Sequence, residues 1–170
     1  AKATDRALLA TYATNYAKMK RIYAIDDNTA FSVTQANEFT KAANNLHGKG
    51  RIIGRESVQL GEKDFTPLIT KLKPMNLDGV FYAGHMVEAA LFRQQMLKLG
   101  LKIPMMSSGG VFSNTYIKTA GEASKGTLAS FWGLPLDHYP DGRGTMFEKA
   151  YAAAKFQDPY ESFGPMAHAA

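Results

Sequence analysis

The chain contains no cysteine among its 170 residues. Disulfide bonds, a thiol nucleophile and cysteine-type zinc sites are therefore excluded. The chain also lacks a long apolar run, whereas a membrane-spanning helix needs roughly 20 such residues. The longest candidates, residues 79–83 and 103–106, have the length of strands. With 45% hydrophobic and 21% charged residues, the composition predicts one globular domain over residues 1–170.

An initiator methionine and an apolar leader are absent from the start, which reads Ala1-Lys2-Ala3. A signal peptide is removed from a mature exported protein. We therefore expect either a processed chain, whose precursor carried a signal peptide, or a piece of a longer protein.

Negative charge is in the minority, with 15 acidic against 20 basic residues and a net charge of +5. A nucleic-acid partner would require the basic residues to cluster. They do so at Lys18, Lys20 and Arg21, and weakly at Lys71 and Lys73. Both groups lie at predicted helix ends, where cations interact favourably with the helix dipole. We predict no nucleic-acid partner.

Motifs of catalysis and metal binding are also missing. The four histidines, His47, His85, His138 and His168, lack the i, i+4 spacing of a helical metal site. The sequence contains neither a G-x-S-x-G nucleophile elbow nor a P-loop, and no nucleophile–base pair falls at one strand edge. We predict no metal, no cofactor, no catalytic residue and no enzymatic activity.

Strand-like and helix-like segments alternate along the chain, which predicts an α/β fold. Such a fold is a doubly wound parallel sheet of about five strands with helices on both faces. The predicted strands are residues 20–25, 51–60, 79–83, 103–106 and 126–131. The predicted helices are residues 5–19, 29–46, 66–73, 86–99, 114–119 and 145–156, with a last one from Ser162.

The expected strand order 2-1-3-4-5 brings three polar loops to one edge of the sheet. Ligands bind beyond the carboxyl ends of the strands, where the strand order reverses. This point lies between loop 26–32 and loop 84–86, and loop 107–110 is the next neighbour. We expect a binding site at this edge.

Each polar residue at this edge has a structural and a functional interpretation. Asp26 and Asp27 resemble the Mg²⁺-binding pair of a response-regulator receiver, but the third strand ends without the required third aspartate, so turn and cap roles are favoured. His85 is either a hydrogen-bonded surface residue or a ligand contact close to helix amides that favour anions. Loop 107–110 is either a plain turn or a source of hydroxyls and amides. Trp132 is either a pocket wall or rim packing.

Four segments resemble a known family in their order. Residues 21–27 with Phe31 form a strand, an acidic turn and an aromatic, and G-E-K-D-F at 61–65 precedes two leucines and a lysine. Residues 78–84, followed by Glu88 and Arg93, and A-G-E-A-S-K-G at 120–126 continue the series. Together they resemble the leucine-binding-protein type of ABC-transporter solute receptor, a type I periplasmic binding protein.

The resemblance implies two α/β lobes that close on a ligand, of which this chain is the second lobe only. It implies a periplasmic or extracellular location and a non-catalytic function in import. The implied partners are a small-molecule ligand, an ABC transporter permease and the missing first lobe. The sensory domain of a receptor with the same fold is the alternative function.

The chain departs from the family at positions that bear on the ligand. Phe31 replaces a tyrosine and Ser32 a glycine, His85 replaces a second tyrosine, and Gly109 stands where a glutamate would bind the ligand's ammonium. The resemblance therefore implies a small amino acid, carboxylic acid or aromatic acid as ligand. The predicted ligand-binding residues are Phe31, Ser32, Gly84, His85, Ser107, Ser108 and Gly109.

Overall fold

The computed structural model describes residues 5–46, 51–131 and 136–155. The chain divides into two compact units, Ala1–Ser130 and Phe131–Ala170. Trp132 and the helix predicted from Ser162 lie outside the described residues. Within the described residues, no helix has the length and apolar character required to cross a membrane.

The first unit contains one parallel five-stranded sheet in the order β2-β1-β3-β4-β5. This confirms the predicted α/β, doubly wound architecture and the predicted strand order. The strands are β1 (Ile22–Asp26), β2 (Ile52–Ser57), β3 (Gly79–Ala83), β4 (Met105–Ser107) and β5 (Thr127–Ala129).

One helix precedes β1, and further helices lie between consecutive strands. In the first unit these are α1 (Asp5–Thr11) with a π-helical extension (Tyr12–Tyr16), α2 (Ala30–Asn45), α3 (Thr66–Leu72), α4 (Met86–Lys98) and α5 (Asn114–Ala120). The described part of the second unit contains a 3₁₀ turn (Leu136–His138) and α6 (Arg143–Ala154).

The two central strands, β1 and β3, are buried along their whole length. Successive side chains enter different cores because they alternate between the faces of a sheet. Phe81 stacks on Phe39 of α2, with the ring centroids 4.0 Å apart. Its neighbour Tyr82 stacks on Phe92 of α4, with the ring centroids 5.3 Å apart. Helices therefore cover both faces, which explains why these strands read as continuous apolar runs.

Two strands begin two residues later than the sequence predicts, and β2 and β5 begin one residue later. Lys20 and Arg21 do not extend β1, because their backbone amides both donate to the Asp78 carboxylate, at 2.7 and 2.9 Å. β4 begins at Met105 because Pro104 has no amide hydrogen for the ladder. It extends through Ser107, which the sequence placed in the following loop.

A buried arginine connects α4 to the turn before β5. The Arg93 side chain is 4% exposed and donates to the backbone carbonyls of Ala123 (3.0 Å), Ile103 (2.8 Å) and Lys125 (2.8 Å). Burial lowers the pKa of its guanidinium. A Cβ at Gly126 would lie 2.9 Å from Arg93 Nη2, so the arginine fits only against a glycine there.

We expect Arg93→Met to lower the free energy of unfolding by about 3 kcal/mol or more, since each buried carbonyl left without a partner costs about 1–3 kcal/mol. Urea denaturation measures the change. Lys98→Met is the matched control, because it removes the same charge from an exposed position on the same helix. Equal stabilities of the two variants would contradict the structural role assigned to Arg93.

Candidate functional site

The carboxyl ends of β1, β3 and β4 lie side by side at one edge of the sheet. Asp26 pairs with Ala83, and Tyr82 pairs with Ser107. The loops that follow these strands therefore meet, as the strand order predicts. All the predicted site residues lie within or directly beside this set of loops.

Asp27 and His85 form the central contact of this edge. The Asp27 side chain is fully buried, and its Oδ2 lies 2.6 Å from Nδ1 of His85. The His85 side chain is 55% exposed. The carboxylate thus orients the imidazole through one ring nitrogen, Nδ1.

The loop around Asp27 keeps its carboxylate ionised. Burial alone would raise the pKa, but hydrogen bonds from Ser32, Thr29 and His85 outweigh burial and lower the pKa of Asp27 to about 2. Thr29 contributes both its amide (3.1 Å) and its hydroxyl (2.7 Å) to Asp27 Oδ1. A fixed negative charge therefore stands behind His85 at neutral pH.

The start of α2 places two predicted site residues differently. Thr29 caps the helix by accepting from the Ser32 amide at 3.3 Å, and the two hydroxyls lie 2.9 Å apart. Ser32 is fully buried, so it shapes the loop, whereas the ring of Phe31 is 63% exposed. Of these two predicted site residues, Phe31 therefore presents its side chain to solvent and Ser32 does not.

The other aspartate of the acidic turn is also engaged within the protein. Asp26 is buried and accepts from Arg55 through Nε (2.8 Å) and Nη2 (2.7 Å), and from the Asn28 amide at 3.0 Å. Among the described residues, no group of three His, Asp or Glu side chains is arranged to hold a metal. The acidic turn therefore acts through hydrogen bonds that hold the loop.

The loop after β4 places its hydroxyls inward. Ser107 donates to the Tyr82 carbonyl and Ser108 to Oε1 of Gln35, each at 2.7 Å and buried. Gly109 is also buried and opens a short 3₁₀ turn. The two serines therefore hold the loop after β4 through hydrogen bonds within the protein.

Gly84 gives the Tyr82 ring room beneath the edge. A Cβ at this position would lie 2.6 Å from Cε1 of Tyr82, which a side chain cannot tolerate without a shift. The Tyr82 hydroxyl is buried with no hydrogen-bond partner among the described residues, and burial raises its pKa.

Four large apolar side chains are exposed where the strands end. They are Phe31 after β1, Leu60 after β2, Val87 after β3 and Phe112 after β4, at 63%, 56%, 53% and 40% exposure. The sequence analysis singled out only the first of them. Their common position, a few residues beyond a strand, was a signal available in the sequence. Because the strands are parallel, these four side chains follow strand ends at the same edge of the sheet as the polar pair, and we call them the apolar rim.

Comparison with known families and curated proteins gives consistent matches. The family model described as "Periplasmic binding protein" matches residues 2–169. The Leu/Ile/Val-binding protein homolog 1 of Brucella suis is 35% identical over 147 residues, which are 86% of this chain and 37% of that protein. The leucine-, isoleucine-, valine-, threonine-, and alanine-binding protein of Pseudomonas aeruginosa is 31% identical over 84% of this chain and 36% of that protein. The chain thus spans little more than a third of these relatives.

Solved structures show the same fold. The leucine binding protein LivK from Thermotoga maritima superposes with a TM-score of 0.79 at 22% identity, covering 97% of this chain and 47% of that one. LivJ from Streptococcus pneumoniae, in complex with isoleucine, gives a TM-score of 0.80 at 19% identity, covering 96% and 46%. At these identities the likeness concerns the fold alone.

We expect Asp27→Asn to lower the free energy of unfolding by about 2 kcal/mol at pH 7, since the folded-state pKa of about 2 lies below the ordinary value of 3.8. As the pH falls from about 4, the unfolded state takes up the proton first, so the advantage of the native carboxylate shrinks and is lost toward pH 2 and below. Urea denaturation across this range measures the difference between the two proteins.

Asp137→Asn is the control for this prediction. Asp137 also contacts a histidine, His138 at 2.8 Å, but both side chains are exposed, and exposed pairs contribute little. A pH-independent difference between Asp27→Asn and the unchanged chain would show that the ionised carboxylate is not the cause.

Proposed function

This chain belongs to the type I periplasmic binding proteins of the branched-chain amino acid family, and on that premise we propose that it is one ligand-binding lobe of an ABC-transporter solute receptor. Members of the family are periplasmic or extracellular in bacteria, as the resemblance implied. The proposal is supported by the position of the exposed His85, held by the buried Asp27, at the edge where the strand order reverses.

The polar part of this edge suits a carboxylate. His85 is the N-cap residue of the 13-residue helix α4, in an extended conformation without a side-chain cap. The first amides of α4 therefore remain available and favour an anion. A ligand carboxylate can accept from these amides and from Nε2 of His85, whose charged form would be paired with Asp27 on its other side.

The apolar rim suits the rest of a small organic acid. Phe31, Val87 and Phe112 offer exposed aromatic and aliphatic surface at the same edge of the sheet as His85. Small-ligand sites combine such walls with a few placed polar groups. We propose an aliphatic or aromatic carboxylic acid as the ligand, or an amino acid whose ammonium is held by the other lobe.

The carboxylates at this edge of the sheet are already engaged within the protein, which disfavours a ligand with an ammonium group. Asp26 and Asp27 at this edge are both buried and hydrogen-bonded internally, and Glu88 in the first turn of α4 accepts from the Gly61 amide at 3.0 Å. Gly109 offers no carboxylate where the family resemblance implies a glutamate. A desolvated ammonium without an anionic partner costs several kcal/mol, so a ligand that lacks it gains in relative affinity.

In this proposal the lobe binds without catalysis and without a cofactor. The site residues are Phe31 and His85 as contacts, with Ser32, Gly84, Ser107, Ser108 and Gly109 holding the loops that carry them. The proposed partners are the first lobe and an ABC transporter permease. Together they would complete the cleft and receive the ligand for import.

We expect the isolated 170-residue chain to bind any natural ligand weakly. One lobe buries only part of a ligand, and closure of the two lobes is lost. Isothermal calorimetry with leucine and with 4-methylpentanoate, its analogue without the ammonium, checks this. Micromolar or tighter affinity for the isolated chain would contradict the two-lobe proposal.

In the full-length parent, we expect 4-methylpentanoate to bind more tightly than leucine, and 3-phenylpropanoate more tightly than phenylalanine. The difference in affinity should be about a hundredfold or more, because each amino acid carries an ammonium that this lobe leaves unpaired. His85→Ala should weaken binding of the acids by about tenfold or more, the equivalent of one charge-assisted hydrogen bond. Calorimetry of the four ligands measures both effects.

Lys98→Ala is the control, since it removes a cation from the opposite end of α4 and should leave affinity unchanged. His85→Gln keeps a hydrogen-bond donor but not the charge. Its affinity for the acids should lie between those of the unchanged parent and of His85→Ala. Tight leucine binding that is insensitive to His85→Ala would rule out the proposed pocket.

A further inference from the structure

A second group of polar residues surrounds a cavity at the opposite edge of the sheet. The cavity has a volume of about 330 Å³ and is lined by Thr14, Asn15, Lys18, Lys20 and Arg51. Lys20 and Arg51 lie just before β1 and β2, where the Ile22 amide donates to the Arg51 carbonyl at 2.8 Å. This basic cavity is therefore at the amino ends of the strands, away from His85.

Three cations line the basic cavity without a side-chain counter-charge among the described residues. The backbone amide of Lys20, and not its side chain, donates to the Asp78 carboxylate. The Arg51 guanidinium donates from Nη1 to the Met19 carbonyl, at 2.5 Å. Like charges in one cavity repel one another, so an anion that binds there relieves the repulsion.

Lys18 occupies a backbone position that favours glycine. Its φ is +56°, in the left-handed region that strains residues with a Cβ. The turn closes the π-helical end of the first helix through Ala17 N to Tyr12 O and Met19 N to Ala13 O, both at 2.9 Å. Glycine is the usual residue at such a helix end, so here a lysine is kept at a cost in backbone strain.

The three cations come from two separate segments of the chain. Lys18 and Lys20 follow the π-helical end of the first helix, where a cation is favourable. Arg51 directly precedes β2, beside Asn44 in the last turn of α2, whose Oδ1 accepts from the Ile52 amide at 3.2 Å. The guanidinium fork and two ammonium groups are the donor set that recognises phosphate oxygens.

We propose that the basic cavity is a binding site for a phosphate group, distinct from the ligand edge. The phosphate oxygens accept from Lys18, Lys20 and the Arg51 guanidinium, and the Asn15 side chain lines the wall. The site requires no movement of the cleft and no second lobe.

The test uses the 170-residue chain, with inorganic phosphate as the probe and chloride at equal ionic strength as its reference. Phosphate should raise the Tm of the chain, and chloride should not. Lys18→Gly should raise the Tm without phosphate, because the strain is released, and weaken phosphate binding by about tenfold, the cost of one charge-assisted hydrogen bond. Lys98→Gln, an exposed cation on α4, should leave phosphate binding unchanged.

A second arm distinguishes a free phosphate from a lipid headgroup. Binding to vesicles that contain phosphatidic acid, lost in Lys18→Gly and absent with neutral phosphatidylcholine vesicles, would support the site with a membrane phosphate as its ligand. The proposal is overturned if neither probe binds better than its reference, or if Lys18→Gly binds phosphate as tightly as the unchanged chain.

Discussion

Strands β1 and β3 pair in parallel without a break in register, from Ile22 with Gly79 to Asp26 with Ala83. Because both strands end level, the next residues of each meet beyond the sheet, and Asp27 lies beside His85. This contact joins residues 58 positions apart and needs no special loop to bring them together. The helices on both faces hold this register, because a slip by one residue would exchange the side chains of the two cores.

Charged groups inside this unit are stable only because each has several partners. Asp26 has two bonds from Arg55 and one from a backbone amide, and Asp27 has hydroxyl, amide and imidazole donors. Arg93 is satisfied by three carbonyls without any carboxylate. Removing one partner from such a group costs more than the pair itself contributes. The three residues therefore fix the geometry of loops and turns.

The sequence was sufficient for the fold because alternation of strands and helices, with their turn residues, is a local signal. It was insufficient at strand ends and for the orientation of side chains. The amides of Lys20 and Arg21 bind Asp78, a contact 57 and 58 residues away that no local pattern reports. The hydroxyls of Ser107 and Ser108 suggested ligand donors from their place in a glycine-rich loop, yet they bind Tyr82 and Gln35 within the protein.

Under the proposal that this chain is one lobe of a two-lobe receptor, the exposed apolar rim gives a reason for the second lobe to close over the ligand. Phe31, Leu60, Val87 and Phe112 would each be more stable if covered, at about 25 cal/mol for every Å² of apolar surface removed from water. A small ligand can cover only part of four side chains that follow four different strands. The remaining surface can be buried only when a second body closes over the ligand. The free energy of closure is then linked to the presence of the ligand: without it, closure would bury His85 against no counter-charge other than Asp27 and would leave the α4 amides unpaired.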